Sequence, residues 1–179
     1  MATAVETSSP LYQQGPGFRG LVVSAVRNCL NASTTGEGSM QRPVLHSVSV
    51  SQDYGLSLGE VFDSWLRPEA LSQWLRMEAE PPSGVDIDRR VGGAFEIRLK
   101  CAGDEVPLRG AYLEIDRPSR LMFTWISPGT EQRESIVTLD LQPQGQGTRL
   151  TLTHDGLPSA QHAQEHEAVW AGLLPRIGA

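Results

Sequence analysis

The sequence predicts an α+β domain, an antiparallel sheet wet on one face with a C-terminal helix against the other. Two observations predict it. From Val85 to His154 the apolar residues recur at every second position, interrupted only by short turns. Beyond them His162, His166, Val169, Trp170 and Leu173 fall on one stripe of a helix. Short turns between alternating strands specify an antiparallel meander with one solvated face.

The elements follow in order. "VLHSVSVSQ" alternates and puts Val44, His46, Val48 and Val50 on one side of a first strand. Ser57 and Glu60 have the capping-box spacing for a helix in "SLGEVFDSWL", whose apolar face carries Val61, Phe62 and Trp65. Pro68 suits the first position of a second short helix, "PEALSQWL", which turns Leu71, Trp74 and Leu75 inward. Six strands succeed these helices: "VDIDRR", "AFEIRLK", "VPLRGAYLEI", "LMFTWI", "SIVTLDL" and "TRLTLTH". Phe95, Ile97 and Leu99 share a face, as do Leu121, Phe123 and Trp125, then Val137, Leu139 and Leu141, and finally Leu150, Leu152 and His154. Ser159 can cap the final helix, and Pro175 should end it near Leu174.

Composition narrows the function. The chain has 179 residues, 39% of them hydrophobic, and a formal net charge of -6 from 15 basic and 21 acidic residues. The basic residues are scattered, and an acidic chain repels phosphate backbones, so nucleic-acid binding is not expected. No run of about eighteen apolar residues exists to cross a membrane. Cys29 and Cys101 are too far apart in unlike surroundings to frame a disulfide or zinc site, which points to a reducing, cytoplasmic location. Residues 1–42, rich in Ser, Thr, Gly and Pro, read as a disordered tail, leaving 43–179 as the folded domain.

Several segments taken together carry a resemblance. "VFDSWLRPEALSQWL", "DIDRRVGGAFEIRL", "LRGAYLEIDRPSRLMFTW", "TRLTLTHDGLPS" and "HEAVWAGLL" resemble, in order and spacing, the START-like SRPBCC superfamily. The branch is the one named for the C-terminal domain of the activator of heat shock protein 90 ATPase. The resemblance implies a helix-grip fold, with a curved antiparallel sheet around the C-terminal helix and a cavity between them for a hydrophobic or amphipathic small molecule. Transferred to this chain, the ligand-binding residues would be Trp74, Phe95, Leu99, Phe123, Trp125, His154, His166 and Trp170, with Trp125 and Trp170 opposed across the cavity. Relatives often carry the last helix further, so the early Pro175 predicts a shorter helix that covers less of the sheet and leaves the domain less stable or the cavity more open.

One motif argues for different chemistry. "HAQEH" is a His-x-x-Glu-His zinc-protease signature, with His162 and His166 one turn apart and Glu165 beside them. Such a site needs a third ligand, and after His166 the only carboxylate is the adjacent Glu167. His154 is the remaining candidate, but no metal or other cofactor is expected. His166 reads either as a core histidine bonded to a carbonyl or carboxylate, or as a polar anchor for a ligand. His154 reads as a lock on the "DG" turn or as a second anchor. If exposed, both would titrate near neutrality and hold an anionic ligand in a pH-dependent manner. Arg109 should be solvated, unless a bulge near Pro107 turns it inward. No nucleophile elbow, Ser–His–Asp set or phosphate loop is present, so no catalytic residue is assigned. A ligand-binding module is thus the leading reading. A cyclase- or lyase-like enzyme using the same cavity and a chaperone ATPase-stimulating domain are the alternatives, and a homodimer is left open.

Overall fold

A computed structural model describes residues 44–77, 80–101 and 103–179. The tail reading of residues 1–42 lies outside them. Strand β1 (His46–Tyr54) leads to two short helices, α1 (Leu58–Asp63) and α2 (Pro68–Trp74). Six strands follow: β2 (Gly84–Ile87), β3 (Ala94–Cys101), β4 (Asp104–Asp116), β5 (Arg120–Trp125), β6 (Ser135–Gln144) and β7 (Gly147–Leu157). Helix α3 (Ala160–Leu173) closes the fold. The strands form one curved, unclosed antiparallel sheet in the order β1-β7-β6-β5-β4-β3-β2. The six later strands are therefore a meander, and β1 extends it by pairing with β7. This is the expected helix-grip arrangement.

Local chemistry explains the two short helices. Ser57 Oγ accepts from Glu60 N at 3.4 Å while Glu60 Oε2 accepts from Ser57 N at 2.9 Å, a complete capping box. Pro68 occupies the first turn of α2, where its missing N–H is no loss. Phe62 of α1 is buried, and Trp65, just beyond α1, meets Trp74 of α2 edge to face with centroids 4.5 Å apart. Each short helix would be unstable in isolation and is held by this packing.

The alternation in the strands sorts the sheet into two faces. Phe95, Ile97, Leu99 and Cys101 of β3 are all buried, whereas Glu96 and Arg98 form ion pairs on the convex side. Arg109 also lies outside, paired with Glu96 at 2.8 Å. The irregularity in β4 falls between Tyr112 and Glu114, not beside Pro107, so nothing turns Arg109 inward. Leu113 is the additional residue there, and it is exposed.

Helix α3 begins at its predicted cap, with Ser159 Oγ accepting from His162 N at 3.3 Å. It ends at Leu173, and a 3-10 turn (Leu174–Arg176) follows at Pro175. The chain end does not splay open. Leu174 and Ile177 are buried, and Tyr54 Oη donates to the Leu174 carbonyl at 2.8 Å. The inward stripe comprises Ala163, His166, Trp170 and Leu173, with His162 and Val169 at its half-exposed margins.

Candidate ligand-binding site

Helix α3 and the sheet meet through an aromatic cluster with a buried polar centre. Trp170 contacts Trp125 at 5.2 Å, Trp65 at 6.1 Å and His154 at 6.1 Å between ring centroids. The expected opposition of Trp125 and Trp170 across a cavity is thus replaced by direct contact, and the space lies to one side of the pair. His154 and His166 pack edge to face at 4.8 Å.

The hydrogen bonds assign the protonation of both rings. Trp170 Nε1 can only donate, and it lies 3.2 Å from His154 Nδ1, so that nitrogen carries a lone pair. Ser135 Oγ donates to the Trp125 carbonyl at 2.8 Å, so the 2.8 Å contact with His154 Nε2 has the imidazole as donor. His154 is neutral with its proton on Nε2. Burial, reinforced by the neighbouring His166, depresses its pKa to about 3. His154 and His166 are both buried, so the exposure on which titration near neutrality depends is not met. The tautomer of His154 also removes any Ser–His nucleophile: Ser135 meets the protonated nitrogen, and an indole occupies the position a carboxylate would need.

His166 is different. Its Nδ1 donates to the His162 carbonyl at 2.8 Å, which leaves the lone pair on Nε2. Burial also lowers its pKa, while the bond to His162 opposes the shift. Among the described residues Nε2 has no hydrogen-bond partner, and the ring lines a cavity. His162 turns its Nδ1 to Ser159 Oγ at 2.8 Å. Among the described residues no three His, Cys, Asp or Glu side chains are grouped to hold a metal ion.

The cavity has a volume of about 60 Å³. Leu99, Cys101, Val106 and Leu108 of the sheet, with Trp125 and Trp170, form its buried floor. Half-exposed Met77, Pro128, Gly129, Glu165 and Val169 form a rim that reaches the surface beside α3. Thr130 shapes part of that rim: its Oγ1 donates within the turn and accepts from Ser127 N at 3.1 Å. A second cavity of about 20 Å³ lies under the short helices, between Trp65, Leu71, Phe95, Tyr112, Phe123 and Trp125.

The eight candidate residues therefore divide. Leu99, His166 and Trp170 line the larger cavity, Phe95 and Phe123 the smaller, and Trp125 both. His154 supports Trp170 from behind and lines neither. Trp74 also lines neither, being buried with its Nε1 donating to the Ser64 carbonyl at 3.1 Å. The candidate set omitted Cys101, Val106 and Leu108, although Cys101 continues the Phe95–Ile97–Leu99 alternation. No sequence signal marked Pro128 and Gly129.

Comparison with known proteins places the chain in a family. A model of the activator of Hsp90 ATPase homolog 1-like protein family matches residues 56–179. The chain belongs to that family. No curated protein matches it. Among solved structures it is similar to CalU16 from Micromonospora echinospora, at 27% identity and TM-score 0.57, covering 76% of this chain and 79% of that one. CV1439 from Chromobacterium violaceum is similar at 23% identity and TM-score 0.60, over 73% and 93% of the two chains. PFC0360w of Plasmodium falciparum, described as an HSP90 activator, is similar at 21% identity and TM-score 0.59, over 73% and 92%. The activator-homologue family thus accounts for the fold, and within this member the aromatic cluster beside α3 is the candidate site.

Proposed function

We propose that residues 43–179 form a ligand-binding module that takes up a small, mostly apolar molecule between α3 and the sheet. The observation that carries this reading is the apolar, one-sided cavity that runs from Trp125 and His166 to the surface at Val169 and Glu165. An aromatic and aliphatic wall with few polar atoms is the usual composition of a small-molecule site. At about 60 Å³ the space is smaller than the roughly 150 Å³ that receives benzene in an enclosed protein cavity. A ligand therefore either projects through the rim or displaces α3. A long acyl chain fits poorly, and a compact ring fits better. The sparse cysteines favour a reducing compartment such as the cytoplasm. Among the described residues no helix is long and apolar enough to cross a membrane.

Native mass spectrometry of the purified chain tests the reading by looking for a co-purifying molecule. His166→Ala and Val169→Trp should both release it, the first by removing wall and acceptor, the second by filling the rim. Retention of the same mass by both variants would place the ligand elsewhere. The Plasmodium relative's description supports a second reading, contact with a chaperone ATPase. Stimulation of that ATPase by the full chain, undiminished in Val169→Trp, would favour it over the cavity.

A further inference from the structure

We infer that the larger cavity selects a compact molecule bearing an uncharged hydroxyl group, whose hydrogen is received by Nε2 of His166. This rests on the ligand-binding reading above and specifies what that site takes. The two core histidines differ in what they leave unused. Both ring nitrogens of His154 are engaged, one by Trp170 and the other by Ser135. His166 uses only Nδ1, which donates to the His162 carbonyl of its own helix. That bond fixes the tautomer and leaves Nε2 with a lone pair at the other edge of the ring. The residue is only 8% exposed. Among the described residues the indole nitrogens of Trp65 and Trp125 are sealed in the core without a partner, whereas His166 Nε2 is not sealed and keeps accessible surface. The space its ring borders is the larger cavity. A buried acceptor left unpaired is destabilising, and natural folds seldom contain one without a reason.

The lining selects the group that completes this acceptor. Its polar side chains are Cys101, Ser127, Glu165 and His166, and none of the lining residues is Lys or Arg. A carboxylate or phosphate would bury its charge against an imidazole that burial holds uncharged, with Glu165 at the rim. An ammonium would exchange water for Leu99, Val106, Leu108 and Trp125. The one carboxylate in the lining is half-exposed and already accepts from Gln161 Nε2 at 3.0 Å. A ketone or an ether brings acceptors alone, and Nε2 has no hydrogen to give. A water on Nε2 would be displaced without loss, because a hydroxyl reproduces its hydrogen bond. An alcohol or a phenol is the class that remains. It supplies one hydrogen on a small group and leaves its hydrocarbon body for the aliphatic and aromatic floor.

Cyclopentanol and cyclopentanone test this directly, since both are compact rings with a single oxygen and only the alcohol has a hydrogen to donate. Each is titrated, above neutral pH, into the full chain labelled with ¹⁵N in its histidines and ¹³C in its methyls. Single His→Gln variants assign the imidazole signals. The expected result is that cyclopentanol binds at least about fivefold more tightly, the factor for one buried hydrogen bond of about 1 kcal/mol. It should move the His166 Nε2 signal upfield and leave both nitrogens of His154 in place. Cyclopentanone should perturb the Met77 and Val169 methyls without moving His166 Nε2. In His166→Phe, which keeps a ring and has no acceptor, the two affinities should converge. Equal affinities in the unmodified chain, an Nε2 signal that cyclopentanol does not move, or a preference that survives in His166→Phe would each overturn the hydroxyl assignment while keeping the cavity as a ligand site. Silence at the Met77 and Val169 methyls with both compounds would instead remove the ligand-binding reading itself.

Discussion

His154 makes acid sensitivity a quantitative test of the polar centre. Its folded pKa of about 3 lies below the value of 6.5 for an unperturbed imidazole. The unfolded chain therefore binds the proton first, and stability falls as pH drops below about 6.5 towards 3. At about pH 5 nearly every unfolded molecule is protonated at this site and almost no folded one is. The resulting loss relative to pH 7.5 is about 2 kcal/mol, a sizeable part of a typical domain's stability. His166 is shifted in the same direction and adds to the loss. Carboxylates do not confuse the window. Asp53, Asp63 and Glu96 are lowered by Arg149, Arg117 and Arg109 respectively, so their contribution is present above the unfolded carboxylate range and is lost only below it. Urea unfolding at several pH values between about 7.5 and 5 measures the slope. His154→Gln stays neutral and can still accept from Trp170, and it should remove about half the slope or more. A wild-type midpoint that is flat over this range, or a variant that keeps the whole slope, would refute the buried neutral imidazole.

Three further outcomes follow from the same geometry. Trp74→Phe should cost about 1 kcal/mol more than Trp125→Phe in urea unfolding, because only Trp74 forfeits a hydrogen bond. Tyr54→Phe should cost about 1 kcal/mol and speed amide exchange over residues 174–179, since it frees the Leu174 carbonyl. Arg109→Gln should leave the urea midpoint unchanged within error, because its pair with Glu96 is exposed and screened.

Much of the fold was legible because each signal was local and mutually consistent. The Ser57–Glu60 spacing, the proline opening α2 and the period-two strands each specify backbone that burial then favours. The site was less legible. Alternation identifies Leu99 and Trp125 as inward, but it cannot say which inward residues border empty space and which meet another ring. Trp74 is among the expected cavity residues, whereas Trp65 and Trp74 meet edge to face and it is Trp65 that lines the smaller cavity. The two histidines looked alike in sequence. What separates them is non-local: Trp170 and Ser135 saturate His154, while His166 bonds within its own helix. The β4 irregularity shows the same limit, since Pro107 drew attention and the register shifts after Tyr112.

The most direct measurement of the central claim is an intermolecular NOE experiment on the methyl-labelled chain with a compact ring, cyclopentanone, at saturating concentration. The account predicts cross-peaks from the compound's protons to the methyls of Met77, Leu99 and Val169, together with cross-peaks to the Trp170 ring. Cross-peaks confined to exposed methyls such as those of Val91 and Leu113 would contradict it, because the molecule would then be resting on the outside of the sheet.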